Sequence, residues 1–509
     1  IVGAEITTLE QGHFIGFPLA YDELEVPTHG AHDWVCQSGG EILDGIRDDG
    51  AGMEPFTIVA HPRDGFFGYV DQLGVDTYTM NRKPPLLEED NAVFRTASCD
   101  FDGMEIISAK RMDLVRTPTA AEMLDWARCR DRLDESDDRA EMDASCPEVF
   151  PEGFPVPCEE GEPFVFCRDR NRTELAWAMS KRILARTANE QLTDWIWPLT
   201  QAETVPFCDP IALGETVIPE HTRDYPCAFR PGQIDDFFRY LEHGMLATQI
   251  GSSDSHGGNK EPGFPRTWLR ASTDAPGQVA EGEVVGSLRG GHAFASYGPF
   301  VRASIDGKTY GEVASGSPGQ SLELSLDVLT PSWFGVDRVE IYLNGELYRL
   351  LKPSGGPEVI EDVRGKITFE VPSRDSWIVI VAMGLEDDNL MRPIVLDVPF
   401  GEVQLARVAA DAFSRVPVVN ELFSPQPIAP DWSRIPPFAI TNAIYVDVGG
   451  DGQYDAPLPP PEFCSVPCDP GSVDGCPSGQ TCLDQEGVCG INIPGRCTRR
   501  VAASYGDVE

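Results

Sequence analysis

Residues 56–69, FTIVAHPRDGFFGY, decide what kind of fold this chain can have. The apolar run 56–60 stops at His61-Pro62, and a proline there ends a strand and biases the residue before it towards an extended backbone. His61 is therefore expected at a strand terminus. Just upstream, GGEILDGIRDDGAG (39–52) places Ile42, Leu43 and Ile46 on one helical face. A strand such as HFIGFPL (13–19), this helix, and then a strand ending in His-Pro suggest parallel α/β units. Such units gather reactive side chains at the carboxyl ends of their strands.

Outward from this stretch the chain changes character several times. Residues 1–110 keep the α/β pattern. Residues 111–232 read as an insertion, with an acidic helical stretch (119–143), a loop-rich segment with three close cysteines (146–167) and an amphipathic helix (173–197). The α/β pattern resumes over 233–298, where a helix ended by Gly244 and a short strand lead into IGSSDSHGG (250–258). Over 299–400, period-two alternation in SLELSLDVL and VDRVEIYLNGELYRLL, with the Asn344-Gly345 turn, indicates an antiparallel β-sandwich. A proline-rich segment with an Asp/Gly loop fills 401–461, and a Cys-rich tail fills 462–509.

With 509 residues and 41% apolar content, the chain is a folded protein of two or three domains. Its 82 acidic residues against 40 basic ones give a net charge of −42, which repels phosphate backbones and anionic membranes. Nucleic acid is not an expected partner. Fourteen cysteines, six of them in the tail, do not form a paired CxxC zinc framework and are read as disulfides of a secreted, cell-surface or periplasmic protein. No apolar run reaches the length of a membrane span. Residues 1–14 lack the charged start and apolar middle of a signal peptide, so the chain is read as a processed product.

Three groups of residues carry candidate chemistry. Asp254 and His256, two apart on an expected strand end, share a face of an extended chain, and carboxylate with imidazole suits zinc, manganese or iron; Ser-Asp-Ser is equally a turn or helix-capping sequence. His61 is the second candidate. Glu5 and His13 are the third, because Glu5 stands between Ala4 and Ile6 in an apolar strand, where an acid is costly unless paired or metal-bound. Arg266 in GFPRTW is either an anchor for an anionic substrate oxygen or a surface ion pair, and Arg63 carries the same two readings. Asp447, Asp451 and Asp455 in DVGGDGQYD form either an irregular calcium loop or a solvated turn. His29 and His32 are read as surface loop residues, and Asn171 begins a glycosylation sequon. No Gly-x-Ser-x-Gly elbow supports a serine hydrolase.

Together, GAEITTLEQGHFIGFPL (3–19), IVAHPRDGFFGYV (58–70), FDGMEIISAKR (101–111) and IGSSDSHGG resemble, in that order, the PHP (polymerase and histidinol phosphatase) superfamily. The carbaryl-hydrolase-like CehA/McbA metallohydrolase branch is the most similar. The later LRGGHAFASYGPFVRASIDGKTYGE and AITNAIYVDVGGDGQYD are similar to the segments beyond the catalytic barrel in secreted members. The resemblance spans 1–110 and 233–460. It implies a distorted (β/α)7 barrel holding two or three divalent metals, followed by the antiparallel β-sandwich and the disulfide-rich tail. Glu5 would be the bridging ligand, with His13, His61, Asp254 and His256 as terminal ligands and Glu105 as a supporting acid behind them. The family's His-x-His pair on a first strand has no counterpart here, so either the N-terminal strands lie on a missing or separate upstream fragment, the preferred expectation, or the metal cluster has decayed.

The function expected on these grounds is an exported metal-dependent hydrolase of phosphoesters, esters or carbamates, with a metal-activated hydroxide as nucleophile and a small molecule as substrate. The alternative is an extracellular structural or binding protein on the same scaffold, self-assembling and with little or no turnover.

Overall fold

In a computed structural model, the structure describes residues 1–8, 11–20, 34, 36–64, 67–75, 80, 82, 96–108, 157–158, 162–165, 167–168, 171, 232–255, 263–353, 360–385, 436–466, 476, 481–483 and 488–490. Most of the 111–232 insertion, His29, His32 and His256 lie outside them.

The first sheet is built from β1 (Ala4–Thr7), β2 (His13–Phe17), β3 (Phe56–Val59), β4 (Gly103–Ser108) and β5 (Thr248–Ser252), in that spatial order. The pairs β1–β2 and β2–β3 are antiparallel, whereas β3–β4 and β4–β5 are parallel. Helix α1 (Gly39–Asp48) starts in a capping box between Ser38 and Glu41. It lays Ile42, Leu43 and Ile46 against Ile6, Phe14, Val59 and Met104 on one face of the sheet. Helix α2 (Tyr69–Gln72) adds Tyr69 and Val70 to the same core. On the other face Phe56, Ile58 and Ile250 pack against Val285 and Leu288 of a later helix, α4 (Glu281–Arg289), which comes after α3 (Gln233–Glu242) and β6 (Arg266–Leu269) in the chain.

This arrangement corrects the expected (β/α)7 barrel. Among the described residues helices are few and short, strands dominate, and the first sheet is open and mixed. Three physical causes are visible. Only five residues separate β1 from β2 in the chain, with Thr8 Oγ1 donating to the Gly12 carbonyl at 2.7 Å, and so short a connection imposes antiparallel pairing. Among the described residues β1 then pairs on one side only, and the sheet ends there. Past β5, the chain leaves for another sheet: β6 pairs antiparallel with β7 (Ala293–Ser296), and β7 pairs with β15 (Phe438–Thr441).

That second sheet runs β12-β11-β14-β15-β7-β6, with β11 at Arg338–Leu343, β12 at Glu346–Leu351 and β14 at Ser376–Met383. β16 (Ile444–Asp447) pairs with β14 and with β9 (Val313–Ser315). A three-stranded sheet of β13 (Glu361–Glu370), β10 (Ser321–Leu329) and β8 (Phe300–Ile305) faces it. The alternating Leu322, Leu324, Leu326 and Val328 of β10 meet Ile341, Ile378 and Ile380 in the core between them. On its other face the larger sheet receives α3, with Phe238 seated 4.9 Å from the Tyr342 ring and 5.1 Å from the Trp377 ring. Covered on both sides, β14 is buried at every position.

Two disulfides are described. Cys158–Cys167 closes a small loop in the insertion, and Cys99–Cys464 ties the first sheet's surroundings to the start of the tail. Cys36, Cys476 and Cys482 are also disulfide-bonded. In the tail a hairpin of β17 (Thr481–Leu483) and β18 (Val488–Gly490) sets Cys482 opposite Cys489. No helix among the described residues is long and apolar enough to cross a membrane.

Candidate metal centre

Strand pleating sets the site. Ile6 and Phe14 point into the α1 core, so Glu5 and His13 point to the opposite face, where Thr7 pairs with His13 and Glu5 with Ile15. His61 arrives from the adjacent strand, because the Ala60 N–H bonds to the His13 carbonyl at 3.1 Å one residue before it. As a result His13 Nδ1 lies 2.8 Å from Glu5 Oε1 and 3.1 Å from His61 Nε2, and His61 Nε2 lies 3.8 Å from the same Oε1. The two rings meet edge to face at 4.7 Å, with the Phe67 ring 5.2 Å from His13.

Protein atoms alone satisfy this cluster poorly. His13 Nδ1 carries at most one proton, yet it faces both a carboxylate oxygen and a second ring nitrogen. The far nitrogens, His13 Nε2 and His61 Nδ1, are buried without a hydrogen-bond partner. One divalent cation would resolve the contact, since all three facing atoms can present lone pairs. A point equidistant from the three lies about 1.9 Å from each, close to the roughly 2.0–2.2 Å lengths of zinc bonds to nitrogen and oxygen. The donor set, two imidazoles and a carboxylate, therefore fits zinc, manganese or iron.

Electrostatics favour positive charge at this point, whether a proton or a metal ion. The hydrogen bond to His13 and then the nearby His61 ring hold the Glu5 carboxyl down at about 2 against the opposing effect of burial. Burial pulls His61 down, but its attraction to Glu5 at 3.8 Å and the fields of Glu105 and Asp64 outweigh that and raise it. Glu105, fully buried on β4, is pushed up by desolvation, while His61 and Ser252 partly offset the rise. Its Oε2 accepts the His61 backbone N–H at 2.8 Å and its Oε1 accepts the Ser252 hydroxyl. Glu105 thus fixes the His61 backbone to the end of β5.

The backbone at this edge departs from expectation. His61 has φ 24° rather than an extended backbone, because its N–H is drawn to Glu105 while its carbonyl accepts from the Asp64 N–H at 2.9 Å. Asp254, two residues past β5, has φ 42°, so the extended geometry expected of the Asp-x-His pair is absent at its first member. Positive φ at a non-glycine residue stores strain and concentrates at functional sites.

The structure brings together Glu5, His13 and His61; Asp254 is not part of that group, and His256 lies outside the described residues. Arg266 opens β6, exposed, with its Nε donating to the Gly263 carbonyl at 2.9 Å. Arg63 is buried, its Nε and Nη2 donating to Asp236 at 2.6 and 2.8 Å and its Nη1 to Asp71 at 3.2 Å and to the Val75 carbonyl at 2.9 Å. It is a structural clamp on the loop that presents His61. Asp447, Asp451 and Asp455 do not converge on one point, since Asp447 accepts the Gly450 and Gly452 amides at 2.6 and 2.7 Å, and Asp451 the Gln453 amide at 2.9 Å. The Asp455 amide turns to Asp375 at 2.9 Å. Cys158, Glu162 and Cys167 also cluster, but the disulfide removes both thiolates. Asn171 of the sequon is buried, its side chain donating to the Cys167 carbonyl at 2.9 Å.

Ser252, Asp71, Asp236 and Asp375 were not singled out in the sequence. Acids on the buried face of an amphipathic helix were the available signal for Asp236, which stands beside Phe237 and Phe238. No protein-family model, curated protein or solved structure matches this chain.

Proposed function

We propose that the chain is an exported metal-dependent hydrolase of the PHP type. The single observation that carries this reading is the convergence of Glu5 Oε1, His13 Nδ1 and His61 Nε2 on one point. The disulfides are compatible with an extracellular setting. The reading needs no barrel: parallel β3, β4 and β5 end on the side where His61, Ser252 and Asp254 emerge, as in open α/β sheets that bind ligands beyond their strand ends.

In this proposal Glu5, His13 and His61 would hold an ion, and Asp254, at the same edge, would be available to a second one. A bound divalent cation would lower the pKa of a coordinated water towards neutrality and polarise a phosphoryl or carbonyl oxygen. Glu105 is a positioning residue that fixes the His61 main chain. Phe67, exposed beside His13, offers an apolar wall for a small substrate, and exposed Arg266 meets its anionic oxygen.

The test uses the full chain loaded with zinc, manganese or cobalt, with bound metal measured by mass spectrometry and cleavage of nitrophenyl phosphodiester and ester probes followed by absorbance. At least one equivalent of metal and chelator-sensitive turnover, both lost in His61→Ala and Glu5→Gln, are expected. Substoichiometric metal in the wild-type chain overturns the reading. The second reading, an extracellular structural or binding protein, is favoured by the disulfide-bonded Cys99, Cys464, Cys476 and Cys482, and tight metal without cleavage of any probe would select it.

A further inference from the structure

A cavity of about 720 Å³ opens in the sandwich beside β6 and β8, each at the edge of its sheet among the described residues, and no residue of the Glu5–His13–His61 cluster lines it. Its volume falls within the roughly 300–1,000 Å³ of small-molecule sites. Its base is aromatic. Phe294 and Tyr310 are buried, the Tyr310 hydroxyl is satisfied by the Val301 carbonyl at 2.8 Å, and Trp268 lies nearly parallel to Phe294 (13°) and edge-on to Phe300 (88°). Trp268 remains 37% exposed, although tryptophan side chains are usually well covered.

The rim reverses the charge of the rest of the molecule. Arg270, Arg302, Arg364 and Lys366 line the cavity against one acid, Asp327, in a chain whose acids outnumber its bases 82 to 40. Each base has an ion-pair partner, Glu312, Asp327, Glu361 and Glu323 respectively, but all four side chains are at least half exposed. Exposed pairs of this kind are weak and can exchange one carboxylate for another. The β8 edge is not open to strand addition, because the Val301 and Ala303 carbonyls already accept the Tyr310 and Thr309 hydroxyls at 2.8 and 3.0 Å.

We propose that this cavity binds a small amphipathic anion, a flat aromatic body stacked on Trp268 with its carboxylate among Arg302, Arg364 and Lys366. Stacking on an indole supplies area at little entropic cost, and guanidinium groups match a carboxylate geometrically. The site is independent of the proposed metal centre.

Calorimetric titration of the full chain with 2-naphthoate tests it, with 2-naphthylmethanol as the neutral analogue and 2-naphthylmethylammonium as the cation. Expected is one naphthoate site, at least five-fold tighter than the alcohol, with no measurable binding of the cation. Trp268→Ala should weaken naphthoate at least ten-fold, and Arg302→Gln, at an exposed position, should narrow the gap between acid and alcohol by at least three-fold. No binding of naphthoate at millimolar concentration overturns the proposal. So does equal affinity for acid and alcohol, or affinity indifferent to both substitutions in variants whose melting temperature is unchanged.

Discussion

Replacing Asp236 tests the buried charge cluster that holds the His61 loop. The Arg63 and Asp236 side chains are both 1% exposed, and Asp71 is fully buried beside them. The field of Asp236 and its hydrogen bonds, helped by Asp71, overcome a large desolvation effect and keep the guanidinium more firmly protonated than an ordinary arginine. Removing one partner of a buried ion pair costs about 3–5 kcal/mol, because the other charge is left without compensation. Asp236→Asn keeps one acceptor oxygen and leaves Asp71 at 3.2 Å, so the expected loss is about 3 kcal/mol; Asp236→Ala removes both acceptors and should approach 5 kcal/mol. Urea unfolding followed by near-ultraviolet circular dichroism reads both. Because Arg63 stands two residues from His61, cobalt affinity should also fall in Asp236→Asn under conditions where the variant remains folded. A loss below about 1 kcal/mol in both variants would show that the cluster is solvated and refute the reasoning.

Cobalt binding should weaken as pH falls, because His61 holds its proton more tightly than an ordinary imidazole and must lose it before the nitrogen can act as a ligand. Titrations below the His61 pKa should show affinity dropping up to about ten-fold per pH unit for this one proton, and an affinity constant from pH 5.5 to 7.5 would contradict it. Phe238→Ala, which empties the contact between α3 and the Tyr342 and Trp377 rings, should cost about 3–5 kcal/mol in urea unfolding. The double variant Cys99→Ser, Cys464→Ser releases a link between residues 365 positions apart and should lose about 2–5 kcal/mol by the same assay, with little change in cobalt affinity.

The candidate site was legible where a residue type clashed with its surroundings. Glu5 stood out as an acid in an apolar strand, and His61 as an imidazole directly after a strand, and both meet His13 in space. Arg63 was ambiguous because its partner Asp236 lies 173 residues away, and no local pattern marks so distant a pairing. The five residues between β1 and β2 lack an Asn-Gly signal, so the antiparallel start of the sheet was hidden behind a strand-helix-strand pattern that favoured a parallel barrel. Period two is plain in β10, which has one buried face. It is invisible in β14, which is covered on both sides and whose sequence SWIVIVAM carries no polar alternation.

The bond between Cys99 and Cys464 has a topological consequence. It encloses the insertion, both sandwich sheets and the proline-rich segment in one covalent ring. A single protease cut anywhere inside that ring would open it without releasing a fragment. A nicked molecule would migrate intact on a non-reducing gel and fall into two pieces only after thiol treatment, so damage in a protease-rich environment need not separate the first sheet from the rest of the chain.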